Sequence, residues 1–126
     1  MRPTMPTIAI IEDEIAIAKL YKLKLELEGF GVEIAGDGVE GLRLIEKIQP
    51  DLVLLDLRMP RMSGDEMLMK LRAKSWGTSV RVIILTNLSR QEAPASLRFL
   101  NVERYVVKAN HTPAQIVAII REVLHV

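Results

Sequence analysis

Cysteine is absent from this 126-residue chain, and histidine occurs only twice, at His111 and His125. The first absence excludes disulfides, zinc knuckles, iron–sulfur clusters and a thiol nucleophile; the second excludes a multi-histidine metal centre. One tryptophan, two tyrosines and two phenylalanines are too few for a base-stacking surface along single-stranded nucleic acid. Neither sign of charge is in excess: 17 Lys and Arg against 16 Asp and Glu leave +1. Nothing in that balance favours direct nucleic-acid binding or an anionic membrane. The apolar run Ile8–Ile11 stops at Glu12-Asp13-Glu14, too short and too acidic behind for a secretory signal. No apolar run approaches the ~20 residues that span a bilayer. The expectation is a cytoplasmic protein without membrane insertion, working with Asp, Glu, Ser, Thr and Lys.

What is present is an ordinary globular mixture, 49% hydrophobic and 26% charged, of a length that fills one domain. Residues 1–6, with two prolines, read as a loose lead-in and residues 7–126 as a single domain. Three runs, Ile8–Ile11, Leu52–Leu55 and Val82–Leu85, are apolar at every position, the pattern of strands covered on both faces. Val32–Ala35 and Arg104–Val107 are weaker strand candidates. Between them, Asp37-x-x-Glu40, Ser63-x-x-Glu66 and Thr112-x-x-Gln115 are capping-box signals, the last with Pro113 at the first helical position. Tyr21–Glu28 alternates with period two, yet Ala16, Leu20, Leu23 and Leu27 also form a helical stripe. Leu, Lys and Glu favour helix and Gly29 stands as a terminator, so the segment is predicted helical. Strand and helix then alternate five times, which means an α/β fold on a five-stranded parallel sheet with helices on both faces.

In such sheets ligands bind beyond the carboxyl ends of the strands. Glu12 and Asp13 follow the first strand, Asp56 the third, Thr86 the fourth and Lys108 the fifth. Each alone is bland: a helix cap, a polar strand end, a solvated lysine. Together they put three carboxylates, a hydroxyl and an ammonium on one edge. Crowded carboxylates repel, and a hard divalent cation such as magnesium relieves them. Repulsion is also expected to raise at least one of their pKa values. Asp56 is then suited to attack phosphorus, while cation and Lys108 neutralise the phosphoryl oxygens and Thr86 donates to one of them.

These motifs resemble the receiver domain of bacterial two-component response regulators: Glu12-Asp13, Asp56-Leu-Arg58-Met-Pro60 with Gly64, Leu85-Thr86, and Tyr105-Val-Val-Lys108. The resemblance covers about Thr7 to Leu124 and implies a flavodoxin-like sheet in the order 2-1-3-4-5. It implies phosphorylation of Asp56 by a histidine kinase or histidine phosphotransfer protein. It also implies Mg2+ held by Asp13, Asp56 and the backbone carbonyl of Arg58, with Glu12 acting through water. Thr86 and Tyr105 match the two positions that reorient on activation. The implied product is a switched protein-binding face, formed by the fourth helix, fifth strand and fifth helix, for a downstream protein or output domain. Such a domain catalyses only its own phosphorylation and dephosphorylation, as a monomer or weak dimer.

Two positions depart from the family pattern. Ala109 replaces a proline that often carries a cis bond, so a trans bond is expected here. Asn87 is bulkier than the usual small residue and either screens the phosphoryl group from water or orients it. Arg58 is expected to project over the pocket mouth. Ser89-x-x-Glu92 looks like a helix start, yet Pro94 conflicts with it. Regular helix is therefore expected only from about Pro94 to Leu100, with Phe99 either packed inside or offered to a partner. The competing readings are a haloacid-dehalogenase-type phosphatase, which wants an Asp where Arg58 stands, and a flavodoxin, whose phosphate Glu12-Asp13-Glu14 would repel. A third is a receiver-fold interaction module that no longer signals by phosphorylation. With the chain ending at Val126, the expectation is either a stand-alone regulator or a portion of a longer one.

Overall fold

The computed structural model describes residues 5–126; most of the expected lead-in, residues 1–4, lies outside the described residues. Strands β1 (Thr7–Ile11), β2 (Gly31–Ala35), β3 (Leu52–Leu55), β4 (Val82–Thr86) and β5 (Arg104–Val107) alternate with helices α1 (Ile15–Leu27), α2 (Gly38–Ile48), α3 (Gly64–Arg72) and α4 (Pro113–Leu124). All strand pairs are parallel, in the order β2-β1-β3-β4-β5. Because side chains alternate across a strand, Ile8 and Ile10 join one core with the inward faces of α1 and α4. Ala9 and Ile11 join a second core with α2 and α3 on the opposite face. β3 and β4 are buried throughout, as their unbroken apolar runs require.

Two of the three expected capping signals form their bonds. Asp37 accepts from the Glu40 N–H at 2.9 Å, and Thr112 and Gln115 bond reciprocally in a complete capping box. Ser63 makes no cap bond. α3 is instead positioned by close packing: its first residue, Gly64, donates to the Leu57 carbonyl at 2.9 Å. A Cβ at Gly64 would stand 2.1 Å from the Asp56 carbonyl oxygen. Gly64→Ala should therefore cost roughly 2–3 kcal/mol by overpacking. Urea unfolding checks this; a cost below about 0.5 kcal/mol, the level of a neutral surface change, would show that the loop yields.

Two elements differ from expectation. α1 is helical, but the stripe Ala16, Leu20, Leu23, Leu27 faces outward; the sheet is met by Ala18, Tyr21 and Leu25. Two apolar faces share this helix, so periodicity alone cannot choose between them. The expected fourth helix is only a 3-10 segment, Ala95–Phe99. Ser89 and Glu92 do bond reciprocally, but Pro94 has no N–H to continue the turn and sits extended at ψ 135°. Phe99 is 84% exposed, not packed in the core.

Candidate functional site

Parallel pairing aligns the carboxyl ends of the strands. Ile11 is in register with Leu55, so the residues that follow, Glu12 and Asp56, are neighbours although 44 positions apart. Pairing runs one residue past the strands: Glu12 N–H donates to the Ala35 carbonyl (3.0 Å) and Asp56 N–H to the Ile11 carbonyl (3.1 Å). Thr86 is in register with Val107, which brings Lys108 to the same edge. All five strand-end residues meet at one cleft of about 400 Å³ or directly beneath it.

Lys108 is the hub. Its ammonium donates to Asp56 Oδ2 at 3.0 Å and to Glu12 Oε1. Asp56, Glu12 and Thr86 are all buried, whereas Asp13 is exposed at the cleft wall. Carboxylate oxygens of Glu12, Asp13 and Asp56 lie within 4.8 Å of one another. Hard oxygen donors so grouped suit a divalent cation, and Lys108 supplies positive charge between two of them.

The carboxylates are pushed apart in acidity. Burial raises Glu12 to about 7, with the Asp56 charge adding and Lys108 opposing. Asp56 moves the other way: burial would raise it, but hydrogen bonds from Thr86 and Lys108 hold it below the usual aspartate value. The expected raised carboxylate is thus Glu12, and desolvation outweighs repulsion as its cause. Lys108 is raised despite burial, because both carboxylates hold its proton. At neutral pH Asp56 is therefore an ionised, hydrogen-bonded carboxylate at the cleft.

The loops tune this centre. Arg58 donates its backbone N–H to Asp56 Oδ1 at 3.3 Å, and its exposed side chain lines the cleft with Glu92. Asn87 Oδ1 accepts from the Ala109 N–H at 3.1 Å, tying the loop after β4 to the loop after β5. There are no cis peptide bonds among the described residues, so Lys108–Ala109 is trans as expected. The Tyr105 hydroxyl donates to the carbonyls of Leu88 (2.8 Å) and Ser89 (3.2 Å). Arg90 lies 5.7 Å above its ring and donates to its carbonyl. Sequence reasoning places Asn87 near the site but not its bond to Ala109, and it does not assign Arg90 or Glu92 to the site; loop side chains carry no period that would mark such contacts.

No helix among the described residues is long and apolar enough to cross a membrane. The response regulator receiver domain family matches residues 8–121. The phosphate regulon transcriptional regulatory protein PhoB of Rhizobium meliloti is 39% identical over 113 residues, covering 86% of this chain and 48% of its own length. The chain spans between 36% and 51% of the first curated relatives it matches. The structure of the chemotaxis response regulator CheY4 of Vibrio cholerae superposes with TM-score 0.86 at 26% identity, covering 95% of this chain and 99% of that one. A receiver domain of a Pseudomonas aeruginosa sensor histidine kinase, solved with magnesium in its active site cleft, gives TM-score 0.86 at 23% identity over 97% and 99%. With the family matched over residues 8–121 and the strand-end carboxylates, threonine and lysine meeting at one edge, this chain belongs to the response regulator receiver domains.

Proposed function

We propose that residues 7–126 act as one signalling unit that accepts a phosphoryl group on Asp56 and, once modified, changes the protein surface around β5. The observation that carries this reading is the state of Asp56. It is buried, held ionised by Lys108 at 3.0 Å and by Thr86, and opens onto a cleft walled by acidic side chains.

The donor is a phosphohistidine on a kinase or phosphotransfer protein. An Asp56 oxygen forms its bond to phosphorus as the bond to the donor's imidazole nitrogen breaks, and the imidazole takes up a proton. Lys108 and Thr86 meet the phosphoryl oxygens, worth most where water is excluded. Asp13, Asp56 and the Arg58 backbone carbonyl would hold Mg2+, with Glu12 joining through water. The ion supplies positive charge that offsets phosphoryl and carboxylate repulsion. As Thr86 and Lys108 turn to the new group, the bonds of Tyr105 to Leu88 and Ser89 are those that yield. The event is local electrostatics with a remote readout, and the direct partner is protein.

Incubation with acetyl phosphate and Mg2+ should add one phosphoryl mass to the intact chain, and Asp56→Asn should abolish it. Absence of an adduct on the folded wild type overturns the proposal and favours a receiver-fold interaction module.

A further inference from the structure

The loop between β3 and α3 carries strain that its own sequence does not relieve. Arg61 sits at φ 65°, a left-handed conformation that crowds the Cβ of any residue but glycine. The Met62 N–H donates to the Pro60 carbonyl at 2.7 Å, closing a γ-turn around Arg61. With a positive central φ this is the rare, strained form of that turn. Such strain persists only where surrounding contacts impose it.

Those contacts come from the start of α2. The Arg61 guanidinium reaches Asp37 Oδ2 at 2.9 Å and Glu40 Oε1 at 3.8 Å. Asp37 is itself fixed, because its Oδ1 caps α2 by accepting from the Glu40 N–H at 2.9 Å. Beside it, a Cβ on buried Gly38 would stand 2.9 Å from both the Cβ and the carbonyl oxygen of Met62. Close packing and an ion pair thus seat the tip of the loop on α2. Its ends are held at the cleft: the Gly64 N–H donates to the Leu57 carbonyl at 2.9 Å, and the Arg58 N–H to Asp56 Oδ1 at 3.3 Å.

We propose that Arg61 and Asp37 are positioning residues for magnesium at the cleft: their ion pair holds residues 57–63, and with them the Arg58 backbone, in the cation-binding arrangement. This rests on the reading of the cleft as a magnesium site and gives a role to two residues outside it. Groups that orient metal ligands are worth roughly 10–100-fold in affinity. Arg61 acts one step further away, through backbone, so its loss should cost about fivefold. A half-exposed ion pair adds little to global stability, which leaves the loop as the place where its effect is read. Charge alone predicts the opposite sign. Arg61→Ala removes a cation from the neighbourhood of acidic side chains, and that by itself favours Mg2+.

Amide shifts followed through a MgCl2 titration at constant ionic strength give the dissociation constant of each variant. Arg61→Ala should raise it about fivefold, and Arg61→Lys, which keeps a cation within reach of Asp37, by less. Arg43→Ala, which removes an equal charge paired with Glu40 alone, should leave it unchanged or lower it. Asp37→Asn keeps a capping oxygen and should also weaken binding, with little further loss when combined with Arg61→Ala. Without metal, hydrogen exchange at the Met62 and Gly64 amides should quicken about fivefold in Arg61→Ala while β4 keeps its protection, the sign of a loosened loop in an intact fold. A wild type that takes up no magnesium would overturn the magnesium site and this inference together, whatever the phosphoryl adduct on Asp56 shows. A wild type that binds it, with Arg61→Ala binding equally well or better, with losses that add fully in the double variant, or with exchange at Met62 unchanged, would overturn the positioning role alone.

Discussion

Arg72→Met should lower the free energy of unfolding by about 4 kcal/mol, one of the larger losses available to a single substitution. Arg72 sits in the last turn of α3, and its guanidinium donates to five carbonyls. Leu100 (2.9 Å) and Asn101 (3.0 Å) lie before β5; Gly77 (2.9 Å), Thr78 (3.4 Å) and Val80 (2.7 Å) lie before β4. These loops are irregular, with Asn101 at φ 54°, and their carbonyls have no sheet partner to turn to. Burial pulls the Arg72 pKa below the usual arginine value, with Glu103 opposing, yet arginine stays charged at any working pH. Methionine keeps the apolar stem but leaves the carbonyls without donors. Lysine, a single ammonium with three donors, should recover less than half of the loss. Denaturant midpoints of the three proteins measure this; a loss under about 1 kcal/mol, the worth of one ordinary hydrogen bond, would mean that water replaces the guanidinium.

Between pH 4.5 and 7 the wild type should lose about 3 kcal/mol of stability through Glu12 alone. Its folded pKa is raised from 4.5 to about 7, chiefly by burial. Below pH 4.5 both folded and unfolded chains keep the proton and no penalty appears. Through the window the unfolded chain releases a proton that the folded chain retains, so folding weakens as pH rises. Above 7 the cost is constant. The other shifted groups act elsewhere. Asp56, depressed, loses its contribution only as pH falls through its folded value, and Lys108, raised, loses its own only at alkaline pH. Glu12→Gln should therefore flatten the window while keeping the side-chain shape. Urea titrations at half-unit pH steps without divalent cations test it, and an equal slope in both proteins would show that another group governs.

The sheet was legible because each central strand is apolar at every position, a signature that survives without tertiary information. The site was legible for a related reason. A parallel sheet delivers whatever follows its strands to one edge, so Glu12, Asp13, Asp56, Thr86 and Lys108 could be grouped from topology alone. Ala109 and its trans bond followed from the cost of the alternative. The acidity order did not follow: counting charges pointed to repulsion, while the depth of Glu12 beneath the cleft made desolvation dominant.

By itself the sequence determined the parallel α/β architecture, the edge at which the strand-end residues gather and the start of α4, because local hydrophobic runs, capping pairs and strand-end chemistry do not depend on distant partners. Only the tertiary structure decided which face of α1 turns inward. Ala16, Leu20, Leu23 and Leu27 make as good a stripe as Ala18, Tyr21 and Leu25, and burial against the sheet chose the second. Tertiary structure also made Gly64 obligatory, since its close approach to Asp56 exists only once α3 folds back. It gave Arg72 its five carbonyls from two loops. Contacts of this kind join residues without periodicity, and their energy exists only when the chain has already brought them together.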